Sequence, residues 1–265
     1  MKSQRNITYL MAFMCFLWLT GFTCSKFVPH NPLEIHLLER LTPPDHTHLF
    51  GTDELGRDIF SRVLVGFSNT INVSIMTLFS SFFIGVVFGS IAGTFYGTLI
   101  DRTFNWVATM LFSLPFLLII AAVMSLMEKN LFNAYLVLTF IIWVSPARIV
   151  RTGVIKARSA PFVLTEHAMG MPRWQILLRS LIPSSIQPAF IFSFKYFPEI
   201  IGLEAGLSFL GLGIQPPQPG LGKMIFDSIN YFYSAWWYAF FPAFSLFAIV
   251  CLSNIFFIYF FNKPQ

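Results

Sequence analysis

Three ionisable residues in an otherwise apolar stretch are the first candidates for chemistry. Lys195 and Glu199 are four residues apart, and Glu204 follows in the same stretch, which is predicted to be one membrane helix. Ionisable groups at membrane depth are costly to desolvate and are often functional. Two interpretations follow. Either Lys195 and Glu199 neutralise each other along one helix face, or all three groups line a polar translocation pathway.

A second candidate is the cluster of Asp45, His46 and His48, because imidazole and carboxylate groups bind zinc and nickel. Short clusters of this kind in polar segments are usually solvated, so we predict no metal site. The three cysteines of the chain are far apart and form no C-x-x-C pair. They therefore predict neither a disulfide framework nor a metal centre.

The stretch from Arg148 to Pro183 is a polar, basic interruption of the apolar sequence. It carries six cations and a single carboxylate, Glu166. Cytoplasmic loops of membrane proteins collect Lys and Arg near the ends of the spans. This stretch is therefore predicted to lie on the inner side of a membrane and to orient the spans around it.

A short amphipathic helix is predicted inside the basic stretch, between Pro172 and Pro183. Proline suits the first position of a helix and cannot continue one. The apolar residues that recur there at i, i+3, i+4 and i+7 are Trp174, Leu177, Leu178 and Leu181. Periodicity alone fits two interpretations equally: a helix on the lipid surface, or a helix that inserts into the groove of a protein partner.

No motif in the chain predicts catalysis. The phosphate-binding pattern G-x-x-x-x-G-K-[ST] is absent, and its nearest approach is Gly222-Lys223, followed by Met224. The patterns H-E-x-x-H and G-x-S-x-G are absent as well. We therefore predict no catalytic residue and no cofactor, and any energy from ATP would have to come from another subunit.

Composition is typical of a helical membrane protein. Of 265 residues, 55% are hydrophobic and only 11% are charged, whereas soluble domains carry about 25% charged residues. The continuous apolar runs argue against an outer-membrane barrel, which would show short alternating segments. The formal charge of +5 is concentrated in one stretch, which favours the positive-inside bias over nucleic-acid binding.

Six spans are predicted, because about 20 apolar residues cross the hydrocarbon core. They lie within 1–28 and at about 71–97, 104–127, 131–145, 187–213 and 236–261. Residues 29–69 are predicted to form an extracytoplasmic segment, residues 70–261 the main membrane domain, and residues 146–186 a cytoplasmic loop. The first segment also fits a signal peptide, but no small-x-small cleavage motif follows it, which favours an uncleaved span with both termini cytoplasmic.

Two spans contain residues that predict their packing. Gly85, Gly89 and Gly93 form overlapping G-x-x-x-G units on one face of the second span. Such units permit the close approach of a neighbouring helix. Pro115 is predicted to kink the third span.

The run 164–170, Leu-Thr-Glu-His-Ala-Met-Gly, resembles the cytoplasmic EAA loop of binding-protein-dependent ABC transporter permeases, with Pro183 at the family spacing. The family pattern is Glu-Ala-Ala, three residues, then Gly. Here the leading Glu is replaced, an acid stands two places later, and the Gly is kept. In that family a short coupling helix sits in a groove of the ATPase subunit. By resemblance, the ATPase-coupling residues are Leu164, Thr165, Glu166, His167, Ala168, Met169, Gly170, Met171, Trp174, Leu177 and Leu178.

Two further segments are similar to signatures of the dipeptide, oligopeptide and nickel permease subfamily. Residues 48–58 resemble the signature before the second span, and residues 204–217 resemble that at the end of the fifth. The charged residues of the first signature are expected to fix their loop through ion pairs and hydrogen bonds. The subfamily usually ends in a polar, charged tail, whereas only 262–265 follow the last apolar run here. The expected structural residues are Gly51, Asp53, Glu54, Gly56, Arg57, Asp58, Gly211 and Gly213.

The resemblance implies an all-α polytopic membrane protein with six transmembrane helices, of the type I ABC importer fold. It implies the membrane-spanning subunit of a bacterial plasma-membrane importer of di- or oligopeptides, nickel or metal chelates. The expected partners are a second homologous permease, two cytoplasmic ATP-binding subunits, an extracytoplasmic solute-binding protein and membrane lipid, without nucleic acid. The alternative is a self-contained channel or secondary transporter, although the internal repeat that many secondary transporters carry is not evident.

Overall fold

The computed structural model describes residues 2–261, which are mostly helical, with one isolated antiparallel bridge between Thr52 and Asp58. The all-α prediction is therefore confirmed. The short polar end of the chain, residues 262–265, lies outside the described residues. The helices, numbered in chain order, are α1 (Lys2–Lys26), α2 (Ile59–Thr94), α3 (Leu99–Ser113), α4 (Phe116–Ser125), α5 (Leu131–Ile142), α6 (Val144–Arg158), α7 (Pro161–Ala168), α8 (Arg173–Ile176), α9 (Ile182–Phe194), α10 (Phe197–Phe209), α11 (Leu221–Ser228) and α12 (Trp236–Phe261).

Among the described residues, five helical stretches are long and apolar enough to cross a membrane. They are Ile7–Lys26, Ile59–Thr94, Leu131–Arg158, Arg173–Phe194 and Trp236–Tyr259. The pair α3 and α4 adds a sixth if the two helices form one broken span. This count agrees with a polytopic fold of six spans.

The chain divides into two compact units. Unit 1 comprises Met1–Leu10, Thr77–Ile119 and Thr139–Tyr196, and unit 2 comprises Met11–Met76, Ile120–Leu138 and Phe197–Gln265. Unit 1 contains the basic stretch that resembles a coupling loop. Unit 2 contains both of the other signature segments.

Unit 1 contains the close helix packing predicted from its glycines. A Cβ atom on Gly89 would lie 2.3 Å from the carbonyl oxygen of Ala147. One on Gly93 would lie 2.9 Å from the carbonyl oxygen of Arg151, and one on Gly85 would lie 2.9 Å from the Ala147 nitrogen. Only glycine fits such contacts, so the glycine face of α2 packs directly on the backbone of α6.

Prolines change two of the predicted spans. Pro115 does not kink one helix but separates α3 from α4, which are bent by 89°. Leu114 is extended, with φ −105° and ψ 145°, because the residue before a proline disfavours the helical region. The fourth span does not stop near 145, since Pro146 lies in the first turn of α6, where its missing N–H is tolerated. The predicted loop 146–186 is consequently helical over much of its length.

The predicted fifth span, 187–213, is two helices. α9 ends at Phe194 and α10 begins at Phe197. Pro198 lacks the N–H that would bond the carbonyl of Phe194, so a helical hydrogen bond is missing at this break. The prediction that a single helix carries both Lys195 and Glu199 was therefore wrong.

Candidate functional site

The turn between α7 and α8 in unit 1 is a helix-ending motif centred on Gly170. The N–H of Gly170 donates to the carbonyl of His167 at 3.0 Å, and the N–H of Met171 donates to the carbonyl of Glu166 at 3.1 Å. These two bonds define a Schellman motif, which requires a left-handed residue after the helix. Gly170 supplies it with φ +79°, a conformation that costs glycine little and other residues more.

Five large apolar side chains around this turn are exposed, each by between 51% and 66%. A Cβ atom on Gly170 would meet nothing within 4 Å, so the turn itself stands clear of the rest of unit 1. Large exposed apolar patches on a protein mark sites of interaction with other molecules. We name this set the docking surface; it consists of Phe162, Leu164, Met169, Trp174 and Leu178.

A buried cluster lies beneath the docking surface. Its members are at most 3% exposed, and they are Val150, Val154, Val163, Ile176, Leu181 and Ala189. The predicted apolar face of the amphipathic helix is therefore divided, since Trp174 and Leu178 are exposed while Leu181 is buried. A π-helical segment at Leu177–Leu181 shifts the register between them. The docking surface thus rests on a packed base.

Glu166 connects the two arms of this loop. Its Oε1 accepts a hydrogen bond of 2.6 Å from the Ser180 hydroxyl. Its Oε2 is buried and has no hydrogen-bond partner among the described residues. Glu166, which lies two positions after the place of the family's leading Glu, therefore joins α7 to the π-helical segment. Local periodicity in the sequence does not reveal this contact.

Two of the loop's cations are held inside unit 1. The Arg151 guanidinium donates to both carboxylate oxygens of Asp101, with Nε–Oδ1 at 2.6 Å and Nη2–Oδ2 at 3.0 Å. Arg158 donates from Nη1 to the carbonyl of Gly93 at 3.3 Å. Bidentate Arg–carboxylate pairs add geometric precision as well as energy. These contacts fix α6 to its neighbours, and α6 carries part of the buried cluster beneath the docking surface. They act in addition to any effect of the cations on the orientation of the spans in the membrane.

The first signature segment forms a charge network in unit 2. The buried Asp53 places Oδ2 at 2.6 Å from Arg57 Nε and 3.3 Å from Arg62 Nε. Its Oδ1 accepts the backbone N–H groups of Leu55 and Arg57, both at 2.9 Å. Glu54 lies 3.3 Å from Arg57 Nη2. These are the contacts expected of residues that fix a loop.

Asp58 and Gly56 complete that loop. Asp58 Oδ2 accepts from both the N–H (2.8 Å) and the hydroxyl (2.7 Å) of Ser61, and so caps the start of α2. Gly56 has φ +73°, and a Cβ atom there would lie only 1.8 Å from the carbonyl oxygen of His36. Gly51 has the same φ and is similarly enclosed by Thr42 and a Trp side chain. The glycines of this segment are therefore required by space as well as by conformation.

The predicted cluster of Asp45, His46 and His48 does not converge. Asp45 Oδ1 accepts the N–H groups of Thr47 and His48, and the bond from His48 lowers the pKa of Asp45. His46 is exposed. Burial by itself would lower the pKa of His48, but the hydrogen bond and charge of Asp58, 2.9 Å away, help to raise it above its ordinary value.

The second signature segment surrounds Glu204, which is buried in unit 2. Its Oε2 accepts from the Thr70 hydroxyl at 2.7 Å and its Oε1 from the Ser208 hydroxyl at 2.8 Å. A Cβ atom on Gly213 would lie 2.3 Å from Ser208 Oγ, and Gly211 has φ +71°. Lys195 and Glu199, by contrast, are exposed. Glu204 therefore differs from the other two ionisable groups, because it is buried and both of its carboxylate oxygens are hydrogen-bonded within unit 2.

The described residues thus combine apolar spans with an exposed apolar turn on a packed base. A family model for the binding-protein-dependent transport system inner membrane component matches residues 85–263. The chain belongs to this family, and is therefore a multi-pass protein of the inner membrane. The resemblance to ABC permeases that the loop motif indicates is confirmed.

Known relatives and a solved structure agree with that assignment. The chain is 35% identical to the dipeptide transport system permease protein DppC of Bacillus subtilis (strain 168), over 87% of this chain and 72% of the relative. It is 32% identical to the oligopeptide transport system permease protein OppC of the same organism, over 85% and 73%. A chain of the inward-facing MetNI methionine ABC transporter has the same fold, with TM-score 0.60 and 19% identity, over 75% of this chain and 93% of that one.

Proposed function

We propose that this chain is a transmembrane subunit of an ATP-driven importer of di- or oligopeptides. The observation that carries the proposal is the docking surface, because five exposed apolar side chains sit on a buried base at the loop that resembles the family's coupling motif. Peptides are preferred over nickel as cargo because the relatives described above are named for dipeptide and oligopeptide transport. The chain itself contributes movement and a pathway, and catalyses no reaction.

The docking surface would bind a cytoplasmic ATP-binding subunit. The expected assembly holds a second, homologous permease, two ATP-binding subunits, and an extracytoplasmic binding protein that delivers the cargo. Closure of the ATP-binding subunits would displace the loop, and the packed base beneath it would carry that displacement into α6 and α9. The spans would then shift between outward and inward access, a change in population biased by the nucleotide. Both termini would be cytoplasmic.

A self-contained channel or secondary transporter is the competing function. In a channel or carrier, the basic loop would contact only lipid and water. Met169 and Trp174, which are exposed on the turn of that loop, would then bind no protein partner. The two functions differ in whether a separate ATPase is required. That difference can be measured directly.

The decisive experiment is gentle detergent purification of the tagged chain from its own host, followed by mass spectrometry of the proteins that accompany it. Recovery of a second permease with ATP-binding subunits is expected. ATP-dependent uptake of labelled dipeptides by the reconstituted complex then tests the cargo. Recovery of the chain alone or as a homo-oligomer, under conditions that preserve a known ABC complex, would overturn the proposal in favour of the channel or carrier.

Lys195 and Glu199 are proposed as polar groups of the translocation pathway, because both side chains are exposed. Glu204 is assigned instead to holding α10 against α2, since both of its oxygens are bonded. Replacing Lys195 with Met tests the pathway role, and a reduced transport rate at unchanged ATPase activity and assembly is expected. Normal transport by the Lys195→Met complex would remove this residue from the pathway.

A further inference from the structure

A polar cavity of about 310 Å³ lies in unit 2, between the segment that follows α1 and the first signature segment. Six of the residues that line it carry imidazole or carboxylate groups, and they are His30, Glu34, His36, Glu39, His48 and Asp58. Ligand atoms of His30, His48 and Asp58 all lie within 4.8 Å of one another. The cavity therefore gathers metal-ligating groups from positions that are up to 28 residues apart in the sequence, from 30 to 58.

The hydrogen bonds of His30 and His48 leave one nitrogen of each neutral ring with an electron pair that can bind a metal. His48 directs Nδ1 at Asp58 Oδ1, 2.9 Å away, so the proton of the neutral ring belongs on Nδ1 and the electron pair on Nε2. His30 directs Nε2 at the carbonyl oxygen of Thr47, 3.0 Å away, which leaves the pair on Nδ1. Metal-binding histidines are characteristically oriented in this way, by donating their other N–H to a carboxylate or a backbone carbonyl.

A carboxylate stands at the distance that a shared ion requires. Glu39 Oε2 lies 3.5 Å from His48 Nε2. Two ligand atoms each about 2.1 Å from one tetrahedral ion are about 3.4 Å apart, so an ion between these atoms would need little movement of either. The buried Asp58 is already fixed by Ser61, which makes it a rigid support for the His48 ring.

We propose that this cavity is a binding site for a divalent transition-metal ion such as Zn²⁺. His30 and His48 are its imidazole ligands, Asp58 orients His48, and the exposed carboxylate of Glu39, 3.5 Å from His48 Nε2, would move in as the third ligand. The exposed side of the cavity leaves a coordination position for water. Two imidazoles and one carboxylate suit zinc and its neighbours, whereas Mg²⁺ and Ca²⁺ prefer sites made of oxygen ligands. The site holds together the segment after α1 and the signature loop, and it does not depend on the identity of the imported cargo.

The test is titration of the full-length chain, purified in detergent with any subunits that accompany it and carrying a tag that contains no histidine. Equilibrium dialysis against Zn²⁺, with metal analysis, is expected to give one saturable site per chain that excess Mg²⁺ does not displace. The variants His30→Ala and Glu39→Gln should each weaken Zn²⁺ binding about tenfold or more. Both side chains are exposed, so these variants are expected to fold, which gel filtration and thermal unfolding would verify.

His46→Ala is the matched control, because His46 is an exposed histidine two residues from His48 that does not line the cavity. Its Zn²⁺ affinity should equal that of the wild type. The proposal is overturned if the wild-type chain shows no saturable Zn²⁺ site, or if His30→Ala and Glu39→Gln bind as the wild type does. An equal loss in His46→Ala would also overturn it, because the binding would then be a general property of the surface histidines.

Discussion

The docking surface of unit 1 and the charge network of unit 2 are both built around a left-handed glycine, and they use it in opposite ways. Gly170 has φ +79° with nothing within 4 Å of an added Cβ atom. Gly56 has φ +73°, but an added Cβ atom would lie 1.8 Å from the carbonyl oxygen of His36. The first turn is open and the second is closed on itself.

The side chains of the two regions also differ, since those around Gly170 are exposed and those around Gly56 are mostly buried. Around Gly170, large apolar groups such as Trp174 remain exposed. The carboxylate of Asp53, in contrast, is buried, hydrogen-bonded to Arg57 and to two backbone N–H groups, and 3.3 Å from Arg62 Nε. A region that satisfies its own groups stabilises its unit, while a region that leaves apolar area uncovered has that area available for a partner. Substitutions should therefore affect stability in one region and association in the other.

The largest expected effect is that of Asp53→Asn in the charge network. It removes the carboxylate that faces Arg57 and Arg62, and breaking a buried pair by removing one partner costs about 3–5 kcal/mol. The free energy of unfolding of the detergent-solubilised chain should fall by that amount. Glu128→Gln, at an exposed position, is the control and should stay within about 0.5 kcal/mol of the wild type. Wild-type stability in Asp53→Asn would show that the network does not hold its loop.

The same substitution at the two glycines sharpens the comparison. A left-handed alanine costs about 1–2 kcal/mol, and this is the whole cost expected for Gly170→Ala. Gly56→Ala must also displace the backbone at His36, which adds about 1–3 kcal/mol of overpacking. Unfolding of both variants under the same conditions gives the difference, and equal losses would contradict the contrast between open and closed turns.

The smallest effect on the chain itself is expected for Trp174→Ala on the docking surface. Trp174 is 66% exposed, and Trp106→Ala on α3, where the side chain is 65% exposed, is the matched control. Neither should change the free energy of unfolding by more than about 0.5 kcal/mol. Only Trp174→Ala should weaken binding of the ATP-binding subunit, by about 2 kcal/mol if this residue anchors the interface. The amount of that subunit that co-purifies measures it, and equal losses in both variants would argue against a specific surface.

Local patterns in the sequence were enough to predict the helical class, the number of apolar segments, the glycine face of α2 and the loop that carries the docking surface. Each depends on residues a few positions apart. The pairs that fix these elements could not be predicted. Asp101 and Arg151 are 50 residues apart, and Thr70 and Glu204 are 134 apart, and periodicity along one segment contains no information about its partner.

The prolines show a second limit of the sequence. Pro115 separates two helices, whereas Pro146 begins one without interrupting the span that runs from Leu131 to Arg158. A position in the first turn, where no N–H is needed, accounts for Pro146. Pro188 and Pro242, however, lie inside α9 and α12, so the presence of a proline does not by itself decide where a helix ends. His30 illustrates the same point, since only the folded chain brings it to His48.

The glycine face of α2 has a consequence for how force passes through unit 1. Gly85, Gly89 and Gly93 bring α2 into close contact with α6 from residue 85 to residue 93, or about 12 Å of helix. The glycines face backbone atoms of Ala147 and Arg151 and the short, stiff side chains of Pro146 and Val154, so the seam contains no long flexible side chain. The part of α2 from Gly85 to Gly93 and α6 should therefore move together, because a shift of either helix presses on backbone atoms of the other.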